Sequence, residues 1–180
     1  MRSLSEIDTI VKRASKGVGY SWGIAEEVGK NIKLLETYGL YGLKNLNDYF
    51  NSLKSKKFQH LTHISTENQS KIPYCPIIAG TSFLDQIDEL KDLVNIKIEN
   101  MSYPILFLPF LSRSSDIVGK KILLKFEKNT FLLNFNVSIL ANYSKKKIPL
   151  LASKAEISFI ENKDIFSEKI KSLKSLSELI

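Results

Sequence analysis

Cysteine, arginine, histidine and tryptophan are all scarce in this 180-residue chain, and each scarcity excludes something. The single cysteine, Cys75, cannot close an internal disulfide, so nothing points to an oxidising compartment. The only arginines are Arg2, Arg13 and Arg113; the other basic residues among the 26 are lysines. Arginine is the usual bidentate partner of phosphate and guanine, so the net charge of +7 reads as a scattered lysine background rather than a nucleic-acid footprint. Lys145-Lys146-Lys147 is the one triple. No long apolar run exists: the longest is PILFLPFL at 104–111, far below the ~20 residues that cross a bilayer. Glu6 and Asp8 interrupt the opening residues, which therefore lack the apolar stretch of a signal peptide. These absences set the expectation of a cytoplasmic protein with no membrane partner.

What is present is ordinary for a globular chain: 43% hydrophobic residues and 25% charged, enough to bury a core without disulfide staples. The first third is helical in pattern. Ser3 and Glu6 have capping-box spacing, and Ile7, Ile10, Val11 and Ala14 share a helical face that Gly17 closes. A second helix opens at Ser21 and buries Ala25, Val28, Ile32 and Leu35 before Gly39. A third buries Leu43, Leu46, Phe50 and Leu53. Residues 55–80 are polar and carry Pro73, Pro76 and Gly80, which predicts a long connection. A short helix over 81–90, capped by Thr81 or Ser82, follows. From Val94 the period changes to two, as Val94, Ile96 and Ile98 alternate with polar residues. Residues 121–137 predict a hairpin turning at 127–130, 142–147 another turn, and Ala155, Ile157 and Phe159 a last strand. Two prolines argue against a helix at 104–111. Ile165, Ile170, Leu173 and Leu176 line a closing amphipathic helix from about Asp164. The expected class is α+β: an N-terminal helical bundle, an antiparallel sheet of five or six strands, and a C-terminal amphipathic helix. As one domain, 1–180 divides into a helical lobe 1–55, a linking region 56–92 and a β-rich lobe 93–180.

The densest stretch is KGVGYSWGIAEEVGK, residues 16–30. Gly17, Gly19 and Gly23 give G-x-G-x-x-x-G, one residue too long for a dinucleotide fingerprint and preceded by a helix rather than a strand. A glycine-rich turn that opens a helix still offers free N–H groups to a ligand. Tyr20 and Trp22 could wall a small-molecule site, with Glu26 or Glu27 as base or cation ligand; Glu26 also has Lys30 four residues on. The plainer reading is a well-capped joint between two helices. A rival reading is helix-turn-helix, with Ala25, Gly29 and Leu35 at motif offsets and Lys30, Asn31 and Lys33 facing DNA. His60 and His63, in H-L-T-H, have zinc-ligand spacing with Cys75 as a third ligand, but no further ligand lies close in sequence. Cys75, between Tyr74 and Pro76, has no base beside it in sequence.

The run Leu4-Ser5-Glu6-Ile7, followed by Gly19-Tyr20-Ser21-Trp22-Gly23-Ile24-Ala25-Glu26-Glu27-Val28-Gly29, resembles the opening of an uncharacterised bacterial family, domain of unknown function 3726. That family carries a G-[YLV]-x-W-G-[LIV]-A-E-E-A-G signature, then a helix ending in glycine, here Leu34-Leu35-Glu36-Thr37-Tyr38-Gly39. The likeness spans about the first 45 residues. The threonine-tyrosine-valine-proline segment and glycine-alanine-rich tail of such proteins are not present. The family has no established activity, so the resemblance supplies no mechanism and leaves activity and cofactor unknown; it marks Tyr20, Trp22, Glu26 and Glu27 as signature positions.

The sequence therefore leads to one expectation and two alternatives. The first is a small molecule bound near residues 17–27, with enzymatic turnover left open. The second is a DNA-binding regulator. The third is a homo-oligomeric interaction protein without a ligand, pairing through the 104–111 run at a sheet edge.

Overall fold

A computed structural model describes residues 3–134, 139–142, 148–160 and 171–172. These form two compact units, divided after Lys56.

The first unit is helical. α1 (Leu4–Gly17) begins at a full capping box: Ser3 Oγ accepts from the Glu6 N–H, and Glu6 Oε2 accepts from the Ser3 N–H at 2.7 Å. α2 (Trp22–Thr37) starts at Ser21, whose Oγ accepts from the Ile24 N–H. α3 (Gly42–Ser52) follows. α1 buries Ile7, Val11 and Ser15, a stripe at i, i+4 and i+8. The face therefore lies slightly round from the expected one, and Ile10 is 40% exposed. α2 buries Ala25, Val28, Ile32 and Leu35 as expected, with Gly29 and Asn31 beside them. A Cβ at Gly29 would stand 2.5 Å from Asp8 Oδ1 and 3.0 Å from Lys12 Cγ, so this glycine sets how closely α1 approaches α2.

The second unit is a sheet with helices. Its chain order is β1 (Glu67–Asn68), α4 (Pro76–Asp85), α5 (Ile87–Leu90), β2 (Ile96–Ser102), α6 (Pro104–Val118), β3 (Lys121–Phe126), β4 (Asn129–Leu133), β5 (Ile139–Asn142), β6 (Leu151–Ile160) and β7 (Lys171–Ser172). The seven strands lie in the order β1-β2-β6-β3-β4-β5-β7. The sheet is mixed, not antiparallel as the pattern suggested. β1 runs parallel to β2, with Glu67 beside Lys97, and a strand of two residues leaves no alternation to read. The β3–β4 hairpin turns tightly at Glu127 and Lys128, with Phe126 paired to Asn129.

Two further expectations are corrected, and two others fall largely outside the described residues. The helix expected over 81–90 begins earlier, at Pro76, and breaks into α4 and α5. Proline at the first helical position starts a helix, because its missing N–H would be unpaired there anyway. The 104–111 run is not an exposed sheet edge but the start of α6, and every residue from 104 to 112 is buried. Pro104 occupies its first position, and Pro109 is accommodated inside. The closing helix and the 142–147 turn lie largely outside the described residues; within them, Lys171 and Ser172 pair with β5 as a strand.

α4 and α6 pack against each other. At Gly80 a Cβ would overlap the ring of Phe110, which is 1% exposed. Phe83 of α4 meets Phe107 of α6 edge-on at 6.0 Å and stacks on Phe159 of β6 at 6.3 Å. The other face is polar at one end, where Lys97 pairs with Glu67 at 2.9 Å and Lys154 with Glu156 at 2.7 Å, and apolar at Leu123, Leu132 and Ile160, which form a second buried cluster with Leu140 against it.

Two outcomes follow from this packing. Gly80→Ala should destabilise the protein by about 1–3 kcal/mol in urea titration, because a close-packed ring has nowhere to go; an unchanged midpoint would disprove the contact. At the β3–β4 turn, Glu127 accepts from the Ser153 N–H at 3.0 Å and from Ser153 Oγ at 2.9 Å. These bonds favour the carboxylate and hold its pKa below the ordinary range. The stabilisation is therefore complete above the ordinary carboxylate pKa and disappears as pH falls through the depressed folded value. Glu127→Gln should flatten this part of the acid limb of stability against pH, and an identical limb would refute the assignment.

Candidate functional site at the first helix corner

The α1–α2 corner separates the signature into two kinds of residue. One kind is explained by the backbone. Val18 caps α1, and Gly19 takes φ 103, which favours glycine. The Tyr20 N–H donates to the Ser15 carbonyl at 3.1 Å and the Gly19 N–H to the Lys16 carbonyl at 3.0 Å. This is a Schellman closure, and Gly19 rather than Gly17 is its left-handed residue. The next corner repeats it: Gly39 has φ 67, and the Leu40 N–H donates to the Leu35 carbonyl at 2.8 Å. Ser21 is the cap, Ala25 and Val28 are core, and Gly29 is the close approach to Asp8. Tyr20 is half-buried; its hydroxyl lies 3.1 Å from that of Tyr49, and its ring sits 6.3 Å from Phe50.

The other kind has no such role. Trp22, the only tryptophan, is 61% exposed. Lys16 Nζ lies 5.2 Å from the centre of its ring, a cation–π contact made across the corner. No sequence pattern announced it, because the pair spans a turn rather than a helical repeat. Gly23 and Gly17 are exposed, and a Cβ on either would meet nothing within 4 Å. Glu26 is exposed one turn after Trp22. The expected Glu26–Lys30 pair does not form; Lys30 instead meets Glu27 at 2.9 Å, three residues back. The structure thus brings Trp22, Gly23 and Glu26 to the surface at the start of α2. It commits Glu27 to an ion pair and Tyr20 to the packing beneath.

The rival arrangements fare differently. α2 runs unbroken through Gly29, so the turn needed by a helix-turn-helix at that point is absent, and Asn31, expected to face DNA, is 2% exposed. Lys145, Lys146 and Lys147 lie outside the described residues. Cys75 is buried and caps α4, its Sγ accepting from the Ile78 N–H at 3.4 Å, so it is no third ligand to the histidines. His60 and His63 are both exposed, and both line one recess of about 330 Å³. Among the described residues no three His, Cys, Asp or Glu side chains gather in a metal-binding group. None of the described helices is long and apolar enough to cross a membrane.

Residues 2–75 match the family model of DUF3726, a protein of unknown function. The DUF3726 segment contains the whole corner and extends past the helical unit, through both histidines, to Cys75. It is longer than the likeness visible in the sequence motifs alone. No curated protein matches the chain.

The division between the two kinds of residue is measurable. Trp22→Ala should melt within about 0.5 kcal/mol of the parent, as exposed positions do. Tyr49→Ala, truncating a side chain that is 1% exposed, should lose about 3–5 kcal/mol. A large loss in Trp22→Ala would return the tryptophan to the structural group.

Proposed function

We propose that the DUF3726 segment gives the chain a small-molecule binding face at the α1–α2 corner, in a cytoplasmic bacterial protein. The observation that carries the reading is Trp22. A lone tryptophan held 61% exposed at a helix start adds nothing to a core and leaves a broad apolar ring in water. Gly23 beside it supports the same reading. It lies in a helix, at an unremarkable φ, with open space where a side chain would be. Alanine there should be better by roughly 0.5–1 kcal/mol, so its absence suits a ligand that comes close to the backbone.

The chemistry fits a ligand with a flat or cationic group. The ring already receives the Lys16 ammonium, which a ligand cation would replace, and Glu26 stands one turn on to meet its charge. The reading is of binding; no catalytic step is assigned to Glu26 or Glu27. Glu26 is open to water and Glu27 is paired with Lys30.

Because the chain has one tryptophan, its fluorescence reports on this corner alone. Titration with a panel of small amines and heteroaromatic compounds should produce a blue shift and protect the ring from acrylamide. Gly23→Ala should raise thermal stability yet weaken that response, and Glu26→Gln should weaken it for the cationic compounds. Emission unmoved by every compound would end the proposal.

A further inference from the structure

The second unit contains a recess that the corner does not explain. His60, Thr62, His63, Gln69 and Ser70 line it together with Gln59, the apolar Leu61 and Tyr74. One residue in four of this chain is charged, yet none of the residues lining the recess is Lys, Arg, Asp or Glu. One carboxylate stands at its edge: Gln69 Nε2 donates to Glu99 Oε1 at 3.4 Å.

The loop that forms the recess is held in place by its backbone. The Gln59 N–H donates to the Pro73 carbonyl at 2.8 Å, and the Cys75 N–H donates to the Gln59 carbonyl at 2.9 Å, so the two ends of the loop are tied together. Gln86 accepts from the Ile64 N–H at 3.1 Å and donates to the Thr62 carbonyl at 2.9 Å. Asn100 donates to the Ser70 carbonyl at 2.7 Å. Leu61 and Ile64 are buried, at 7% and 3% exposure, which leaves His60, Thr62 and His63 exposed. The side chains therefore stand on a fixed frame, the arrangement that reduces the entropy lost on binding.

Imidazoles, amides and hydroxyls each offer a donor and an acceptor when neutral. An anion would find no fixed positive charge here, and a metal ion would find two imidazoles with Cys75 turned away. A nucleobase would find no tyrosine face to stack on, since Tyr74 is 5% exposed, and only the two imidazoles in its place. The volume of about 330 Å³ is at the small end of ligand pockets, which run roughly 300–1,000 Å³. We propose that this recess binds a small uncharged molecule rich in hydroxyl groups, of monosaccharide or cyclitol size. The site is separate from the corner and does not rest on it.

His60 and His63 are the only histidines in the chain, so the imidazole proton resonances of the intact protein report on this recess and nowhere else. The probes are D-glucose and myo-inositol, with inorganic phosphate and zinc chloride as competitors of other chemistry. We expect at least one of the two polyols to shift both sets of imidazole resonances saturably. Gln69→Ala and Thr62→Val, both changes at exposed positions, should weaken that binding about tenfold each, the usual effect of leaving a ligand group unpaired. The Trp22 emission should stay constant throughout, which separates failure here from failure at the corner. The proposal is overturned if neither polyol moves the resonances, whether or not phosphate or zinc does. It is equally overturned if the shifts persist undiminished in both variants.

Discussion

Gly80 has no side chain, and the ring of Phe110 fills the place where one would be. The second unit depends on that contact. α6 is apolar around its whole first half, and such a helix is stable only if buried on every side. Laying α4 against it requires a flat patch on α4, which only glycine supplies. Once α4 is placed, its start is placed too: Cys75 caps it, Pro76 fills its first turn, and the loop before it must arrive at Cys75. That loop carries His60 and His63. The polar recess at the surface thus lies on a loop that ends where the α4–α6 packing begins.

Much of the helical unit was legible in the sequence, because short-range rules govern it. The Ser3–Glu6 box, the Ser21 cap and the α2 stripe rest on contacts within four residues, and the structure has them all. The departures arise where longer contacts decide. Ile10 was grouped with the core by spacing, but Ser15 is buried in its stead, since the face α1 presents is chosen by the packing of α2 at Gly29. Pro76 groups with a connecting segment in the sequence, and Pro104 and Pro109 argue against a helix there, yet at a first helical position proline is an initiator, and Pro109 is accommodated inside α6. Periodicity could not have told the two apart, because a continuous apolar run is shared by buried strands and buried helices. β1 escaped for the opposite reason: two residues hydrogen-bonded to a distant strand leave no local pattern.

The candidate site was half legible. Tyr20, Trp22, Glu26 and Glu27 stood out together as signature positions, but sequence cannot tell a residue kept for folding from one kept for a ligand. The structure sorts them by what each touches. Tyr20 is engaged with Tyr49 and Phe50, and Glu27 with Lys30, so both have duties inside the helical unit. Trp22 and Glu26 have exposure instead, and Gly23 has empty space above its backbone. The recess residues were less legible still. Gln59, Gln69, Ser70 and Tyr74 come from a polar stretch with no motif, and only the folding back of the loop brings them beside the histidines.

The extent of the DUF3726 match bears on both places. A segment that encoded only the three helices could end with them at Lys56, yet the match continues to Cys75. The added residues form a loop whose ends bond to each other, Gln59 to Pro73 and Cys75, so much of its closure is written inside the matched span. Gln86 and Asn100 add their bonds from outside it. The span thus holds two surfaces of opposite character. One is an exposed indole beside a lysine and a glutamate, suited to charge and flat apolar groups. The other is a set of imidazole, amide and hydroxyl groups with the Glu99 carboxylate at its edge. Chemistry that differs this much would select different ligands.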